Sequence, residues 1–217
     1  MKKRIKVENK KHLQQLVENE IKTNGISCDL NYLDISLIND FSYLFHNSKF
    51  NGDISMWDTS GAVDMRGMFF KSEFDGDISK WDTSGVIDMT MMFYGSEFNS
   101  DISKWNTSKV HIASYMFQNS KFNGDILNWN LSSMKYMTGM FIKSDFTQDL
   151  SGWNTYNIED IHGIFNNCCA PTPYWAKYED IEERRSAILE YRSILQNKAH
   201  LESAINSTIS RTPDHKI

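Results

Sequence analysis

The chain has 217 residues, of which 40% are hydrophobic and 24% are charged, and its formal net charge is −5. This composition is typical of a folded globular protein. No run approaches the roughly 18 consecutive apolar residues of a membrane-spanning helix, and no apolar run of signal-peptide length follows the basic N-terminus. We therefore expect a cytoplasmic protein that has no membrane-spanning segment.

Residues 1–25 predict an N-terminal cap. Residues 4–8 alternate between polar and apolar side chains, which predicts a strand, and Asn9 is placed to cap a helix over residues 10–22 that ends before Gly25. The apolar face of that helix consists of Leu13, Leu16, Val17 and Ile21. We expect this face to cover the first repeat, because an open end would expose apolar surface and strand edges.

Residues 26–168 repeat every 24 positions, with the unit S-x-F-N/D-G-D-I-S-x-W-D/N-T-S-x-V-x-D-M-x-x-M-F. The clearest columns are Trp57, Trp81, Trp105, Trp129 and Trp153; Phe45, Phe69, Phe93, Phe117, Phe141 and Phe165; and Phe50, Phe74, Phe98, Phe122 and Phe146. A strict period of this length indicates a solenoid, in which each unit stacks on the next. The aromatic, methionine and isoleucine columns are therefore predicted to fill the interior.

Within a unit, D-I-S-x-W-D-T-S predicts a short strand, because isoleucine, tryptophan and threonine favour strands. V-x-D-M-x-x-M-F has apolar residues three or four positions apart, which predicts a single helical or 3₁₀ turn. The predicted fold is a repeat solenoid of about six 24-residue coils, each with one short strand and a short helical turn.

The repeat resembles the BspA-type leucine-rich repeat, which is also found in surface lipoproteins of mycoplasmas. The resemblance extends from about residue 26 to residue 167 and rests on columns that recur without a gap. It implies a leucine-rich-repeat-like solenoid that is used for binding, often at a cell surface and against host or matrix partners. It implies no catalytic residues.

Residues 169–217 predict a C-terminal helical segment that follows Pro171 and Pro173. The first helix is expected from Tyr174 to about Gln196, and a second short helix over residues 198–207. The candidate cap or oligomer residues are Tyr174, Trp175, Tyr178, Ile181, Ile188 and Leu195. Two interpretations remain open, because the helix can fold back as a cap or bind a partner, including a second copy in a homodimer.

The sequence contains no recognisable catalytic or metal-binding motif. The recurrent aspartates beginning at Asp29 invite a calcium interpretation, but calcium needs six to eight oxygens and each unit fixes one such carboxylate. A turn-forming role is favoured. Cys28, Cys168 and Cys169 have neither CxxC nor zinc spacing, and the histidines share no column. We expect no enzyme activity, no metal and no cofactor.

Charge is distributed unevenly along the chain. Residues 26–168 contain nine Lys or Arg against eighteen Asp or Glu, a net charge of −9. This excess disfavours direct nucleic-acid binding and favours a basic protein partner. The predicted function is a non-catalytic protein–protein interaction module, such as a cytosolic inhibitor, immunity or adaptor protein. The alternatives are an acidic nucleic-acid mimic that inhibits a DNA- or RNA-binding protein, as in phage anti-defence, and a surface adhesin-like binding protein.

Two variable strips are candidate interfaces. One flanks the tryptophan column and contains Asp58, Asp82, Asn106, Asn130, Asn154 and Tyr156. The other contains Asp64, Ile87, Asp88, Ile112, Tyr136 and Asp160. The second strip is richer in apolar and aromatic residues, and an exposed strip of that composition is typical of an interaction surface.

Overall fold

The structure is a computed structural model that describes the backbone of residues 3–209 and the side chains of residues 3–203. Its regular elements are strand β1 (Ile5–Lys6), helix α1 (Lys10–Asn24), strand β2 (Leu33–Asp34), a 3₁₀ turn (Tyr174–Lys177) and helix α2 (Ile181–Ile209). Residues 210–217, the end of the predicted segment 169–217, lie outside the described residues. No helix within residues 3–209 combines the length and hydropathy that crossing a membrane requires.

The N-terminal prediction agrees with the structure. Strand β1 pairs in parallel with β2, so that Ile5 lies opposite Leu33. The side chain of Asn9 accepts a hydrogen bond from the backbone N–H of His12, and α1 ends at Gly25, whose φ is 85°. Both caps are local chemistry that the sequence displays directly. The predicted apolar face is the buried one, with Leu13 and Val17 inside the core.

Aromatic side chains stack on their copies in successive 24-residue units. The ring centroids of Phe45 and Phe69 lie 5.6 Å apart with nearly parallel planes, and this column continues to Phe165 at 5.4–5.7 Å. The column that begins at Phe50 keeps 6.1–6.3 Å. Each indole of the tryptophan column donates from Nε1 to a carbonyl of the preceding unit, as Trp81 does to Ile54 at 3.1 Å. The interior is therefore built from the columns that the period predicts.

Backbone hydrogen bonds join the units along one segment of each. We call residues 40–47, 64–71, 88–95, 112–119, 136–143 and 160–167 the ladder segments. At one junction the bonds run from the N–H groups of Met65, Gly67, Phe69 and Lys71 to the carbonyls of Asp88, Thr90, Met92 and Tyr94. The same four bonds recur at each of the five junctions. Parallel bridges connect the first residues of these segments.

The strand predicted over D-I-S-x-W-D-T-S is wrong, because that part of each unit forms turns. The inter-unit ladder instead lies in the V-x-D-M-x-x-M-F part, where a helical turn was predicted. The reason is local handedness, since two positions of every ladder segment have φ between 51° and 62°. They are Tyr43, Gly67, Met91, Tyr115, Gly139 and Gly163, and Asn47, Lys71, Gly95, Asn119, Lys143 and Asn167. Left-handed residues interrupt a helix and leave every second N–H free for the next unit.

The recurrent aspartates form turns, as predicted. In the column of Asp53, the side-chain Oδ1 accepts from the backbone N–H two residues later, at 2.9 Å for Ser55. Asp58 and Asp64 do the same, so the unit that contains these three aspartates has three such turns. Hydrogen bonds from the backbone of Ser55 and the side chain of Asn31 lower the pKa of Asp53. The role of these carboxylates is therefore to accept hydrogen bonds from backbone N–H groups in their own turns.

The C-terminal segment differs from its prediction. The predicted helix start at Tyr174 is a 3₁₀ turn, and α2 begins later because Asp180 accepts from the N–H groups of Glu182 and Glu183. The predicted second helix is part of α2. Trp175 is fully buried and donates from Nε1 to the carbonyl of Leu150 at 3.0 Å, as the tryptophan column does one unit earlier.

Candidate interaction surface

The outward side of the ladder segments carries apolar and aromatic side chains. We call this surface, together with the residue that precedes each segment, the ladder face. Four of its side chains are 40–43% exposed: Tyr43, Val63, Ile87 and Tyr136. Five more are half-buried: Phe70, Met91, Tyr94, Tyr115 and Ile142. Exposed apolar groups thus recur along successive units on one side of the molecule.

The aromatic rings of this face lie against the backbone of the neighbouring unit. A Cβ atom on Gly67 would come within 2.3 Å of the Tyr43 ring, and one on Gly139 within 2.6 Å of the Tyr115 ring. The rings of Phe70 and Tyr94 stack at 4.8 Å. Rings held in this way lose little conformational entropy when a partner binds, so the surface is pre-organised.

Charged groups lie among these rings. Arg66 donates to both oxygens of Asp64, at 2.6–3.0 Å, and its Nε lies 3.7 Å from Asp88. The hydrogen bond that Arg66 donates to Asp64 is the main reason that the pKa of Arg66 is raised. Glu159 accepts from Tyr136 and forms an ion pair with Lys135 at 3.2 Å. The hydrogen bonds from Lys135 and then Tyr136 lower the pKa of Glu159.

The predicted apolar strip lies on the ladder face. Ile87 and Tyr136 are exposed there, and Ile112 is half-buried. Its three acidic members point their Oδ1 atoms at the backbone N–H groups two residues later: Asp64, Asp88 and Asp160. The structure thus brings the apolar members of this strip together with the rings described above.

The other predicted strip lies on the turn-forming part of each unit. Its polar members are exposed and accept from the backbone N–H two residues later: Asp58, Asp82, Asn106, Asn130 and Asn154. Tyr156 is half-buried, and the guanidinium of Arg185 lies 5.1 Å from its ring centroid. This strip is polar and is engaged in its own turns, so it offers little apolar area.

Sequence reasoning missed Tyr43, Phe70, Tyr94 and Tyr115. The signal was present for two of them, because Tyr43 and Tyr115 are each followed 24 residues later by a glycine. An aromatic residue that faces glycine across a junction indicates a ring lying flat on the next unit. The sequence signal for Phe70 and Tyr94 was simpler, because both are aromatic residues in the same column of the repeat.

The C-terminal candidate residues divide into two groups. Trp175 and Ile188 are buried and Tyr174 and Ile181 are half-buried, whereas Tyr178 and Leu195 are 37% and 48% exposed. The fully buried Arg184 fixes this end by donating to the carbonyls of Ile158, Tyr178 and Glu179. The first turns of α2 therefore pack on the last unit. Residues 192–203 are all exposed.

Metal-binding geometry is absent from the part of the chain that the structure describes. No group of three or more His, Cys, Asp or Glu side chains within residues 3–203 is arranged to hold a metal ion. Cys28, Cys168 and Cys169 form no disulfide bond.

Comparison with known proteins gives a family. The family model described as "Mycoplasma protein of unknown function, DUF285" matches residues 11–121 and 96–182. The two ranges overlap by about one repeat, as expected for a repeating sequence. No curated protein and no solved structure matches the chain. The chain belongs to the DUF285 family.

Proposed function

We propose that this member of the DUF285 family is a non-catalytic module that binds another protein through its ladder face. A cytosolic inhibitor, immunity or adaptor role fits such a module. The observation that carries the proposal is the recurrence of exposed apolar and aromatic groups along one side of the stacked units. Exposed apolar groups that lie together and are bordered by polar groups mark interaction sites.

The ladder face differs from the other exposed apolar residues. Met56 is 70% exposed and Leu127 is 47% exposed, but the next copy of Met56 is Lys80 and both neighbouring copies of Leu127 are serines. Apolar side chains scattered singly over a surface are normal and need no partner. Tyr136 and Ile87 instead have apolar or aromatic neighbours on the same face. The pre-ordered rings and the charged groups beside them resemble the apolar core and polar rim of protein interfaces.

The acidic excess gives less support to the nucleic-acid mimic. Thirteen of the eighteen acidic residues in 26–168 accept the backbone N–H two residues later. Their positions follow from turn chemistry, because asparagine replaces aspartate in the same column at Asn106 and Asn130. We therefore base the proposal on the apolar face, and a basic partner is its secondary expectation.

A BspA-type leucine-rich-repeat solenoid is the fold class that we propose for the module. Its support is the 24-residue period together with the stacked rings and the inter-unit hydrogen bonds. The resemblance to that class implies a surface adhesin-like protein as the alternative role, so the location of the protein in the cell distinguishes the two roles. Fractionating cells and probing for the native protein places it either in the cytoplasm, as proposed, or at the surface.

Self-association through α2 is a separate proposal. Its exposed half carries apolar side chains at 48–65% exposure: Leu189, Ile194, Leu195 and Leu201. Light scattering of the purified chain measures the outcome, and a particle of twice the chain mass that Leu195→Asp converts to a single chain would support a homodimer. A wild-type particle of one chain mass would exclude it.

The ladder face is tested by matched substitutions. Ile87→Asp and Tyr136→Ala change exposed side chains of this face, and Met56→Asp changes an exposed apolar side chain outside it. Tagged proteins are purified from their native cells, and bound proteins are identified and quantified by mass spectrometry. We expect a stoichiometric protein that the wild type and Met56→Asp retain and that both ladder-face variants lose. Equal retention by all four proteins, each folded by circular dichroism, would reject the ladder face as the binding surface.

A further inference from the structure

The hydrogen bonds of the ladder all point in one direction. In each of the first five ladder segments, the N–H groups of four alternate residues donate to the unit that follows in the chain. The last segment, residues 160–167, has no following unit. Its four donors are Ile161, Gly163, Phe165 and Asn167. The C-terminal edge of the ladder is therefore a row of backbone N–H groups.

The peptide dipoles of the ladder add up because their direction repeats at every junction. As at a helix end, aligned peptide groups leave partial positive charge where N–H groups are unpaired and partial negative charge where carbonyls are. The chain places opposite charges at the two ends. Lys10 Nζ lies 2.8 Å from Asp40 Oδ1 beside the first segment, and Glu179 lies at the last.

The carboxylate of Glu179 already accepts a hydrogen bond from one N–H group of this edge. Its Oε1 accepts from the backbone N–H of Gly163 at 3.3 Å, and its Oε2 lies 2.9 Å from Nδ1 of His162. The hydrogen bond from His162, followed by that from Gly163, lowers the pKa of Glu179. Within residues 3–209, the N–H groups of Ile161, Phe165 and Asn167 have no hydrogen-bond acceptor. One carboxylate thus serves one of four donors.

A pocket of about 140 Å³ lies against the same edge. It is lined by Ile161, Gly163, Phe165, Asn166, Thr172 and Glu179, among others. Three of the four donor residues thus line this pocket, together with Thr172 just before the 3₁₀ turn and Ala176 within it. Backbone N–H groups that converge on one concavity are suited to oxyanions, because they donate without the desolvation cost of a buried cation.

We infer that the N–H edge of the last ladder segment is a binding site for carboxylates of an acidic protein segment, with Glu179 as its built-in occupant. The juxtaposition that carries this inference is three unpaired donors, a carboxylate already held by the fourth, and a pocket beside them. The site lies at the end of the stack and does not depend on the proposed function of the ladder face.

The test uses the full chain and removes the occupant. In Glu179→Ala the carboxylate is gone, in Glu179→Gln a neutral oxygen remains, and Glu183→Ala removes an exposed charge of α2 as a control. Amide NMR spectra are recorded during titration with acetate and with a tetraglutamate peptide, at constant ionic strength. A tetraglutamine peptide is the neutral control.

We expect tetraglutamate to shift the amides of Ile161, Gly163, Phe165 and Asn167 in Glu179→Ala. The affinity should be about tenfold higher than in the wild type or Glu183→Ala, because a charge-assisted hydrogen bond no longer competes. Glu179→Gln should fall between them. Shifts that are absent from these four amides, or equal in all variants, would overturn the inference. Acetate binding as tightly as tetraglutamate would overturn the assignment to an acidic segment.

Discussion

Replacing Lys143 with glycine should stabilise the protein, although glycine normally destabilises an ordered chain. Lys143 has a φ of 53°, its side chain is exposed, and the same column contains Gly95 with a φ of 62°. A side chain in the left-handed region costs about 1–2 kcal/mol. Glycine loses about 0.4–1 kcal/mol through the larger entropy of its unfolded chain. The free energy of unfolding should therefore rise by about 0.5–1 kcal/mol.

Urea unfolding followed by tryptophan fluorescence measures this change, and two controls isolate its cause. Lys143→Ala removes the same charge but keeps a Cβ, so its stability should stay within about 0.5 kcal/mol of the wild type. Lys104→Gly also removes an exposed lysine, at a position outside the left-handed region, and should destabilise by about 0.5–1 kcal/mol. If Lys143→Gly lowered stability as much as Lys104→Gly does, left-handed strain would not explain the column.

Four further substitutions are tested with the same unfolding assay. Trp105→Phe should destabilise by about 2–3 kcal/mol, because it leaves the carbonyl of Ile78 without its indole donor and removes buried volume. Thr155→Val should be neutral or stabilising, since the buried Thr155 hydroxyl has no partner within the described residues. Thr83→Val, whose hydroxyl donates to a carbonyl at 3.1 Å, should cost about 1 kcal/mol. The hydrogen bond from the backbone N–H of Ser103 lowers the pKa of Asp101. The contribution of Asp101 to the free energy of unfolding is therefore complete above roughly pH 4 and is lost as the pH falls through the lowered pKa. Asp101→Asn should keep the turn and flatten the fall in stability below about pH 4, and an unchanged slope would contradict this role.

The parts of the fold that the sequence predicted are those in which one residue determines one local event. Asn9 and Gly25 mark the ends of α1 because a side-chain acceptor and a left-handed glycine act within one turn. The aromatic columns predicted the core because a 24-residue period admits one partner for each ring. Trp175 was placed in a cap segment, but its role as a successor to Trp153 was hidden by a spacing of 22 residues.

The strand was predicted in the wrong part of the unit because β-propensity measures how well a side chain suits a half-buried pleated surface. Ile78 and Trp81 have that environment, but Asp77 and Asp82 turn the backbone on either side of them. The ladder lies elsewhere because left-handed residues recur there, and lysine, tyrosine and methionine at such positions give no sequence signal. The candidate face was only half predicted for the same reason, since Ile87 was visible as a variable apolar residue and Phe70 was not.

Most of the acidic residues in 26–168 that accept no turn hydrogen bond form ion pairs with a neighbouring unit. Glu73, Asp145 and Glu159 each lie within 4.0 Å of a lysine 24 residues earlier in the chain. Exposed pairs of this kind contribute about 0–1 kcal/mol each, so they act mainly by neutralising like charges that a strict repeat would stack in register. Neither the turn aspartates nor these ion pairs distinguish one unit from the next for a partner. The specificity of the proposed ladder-face interaction is therefore expected to depend on the outward apolar and aromatic side chains, since Tyr136 and Ile87 differ from their copies in adjacent units.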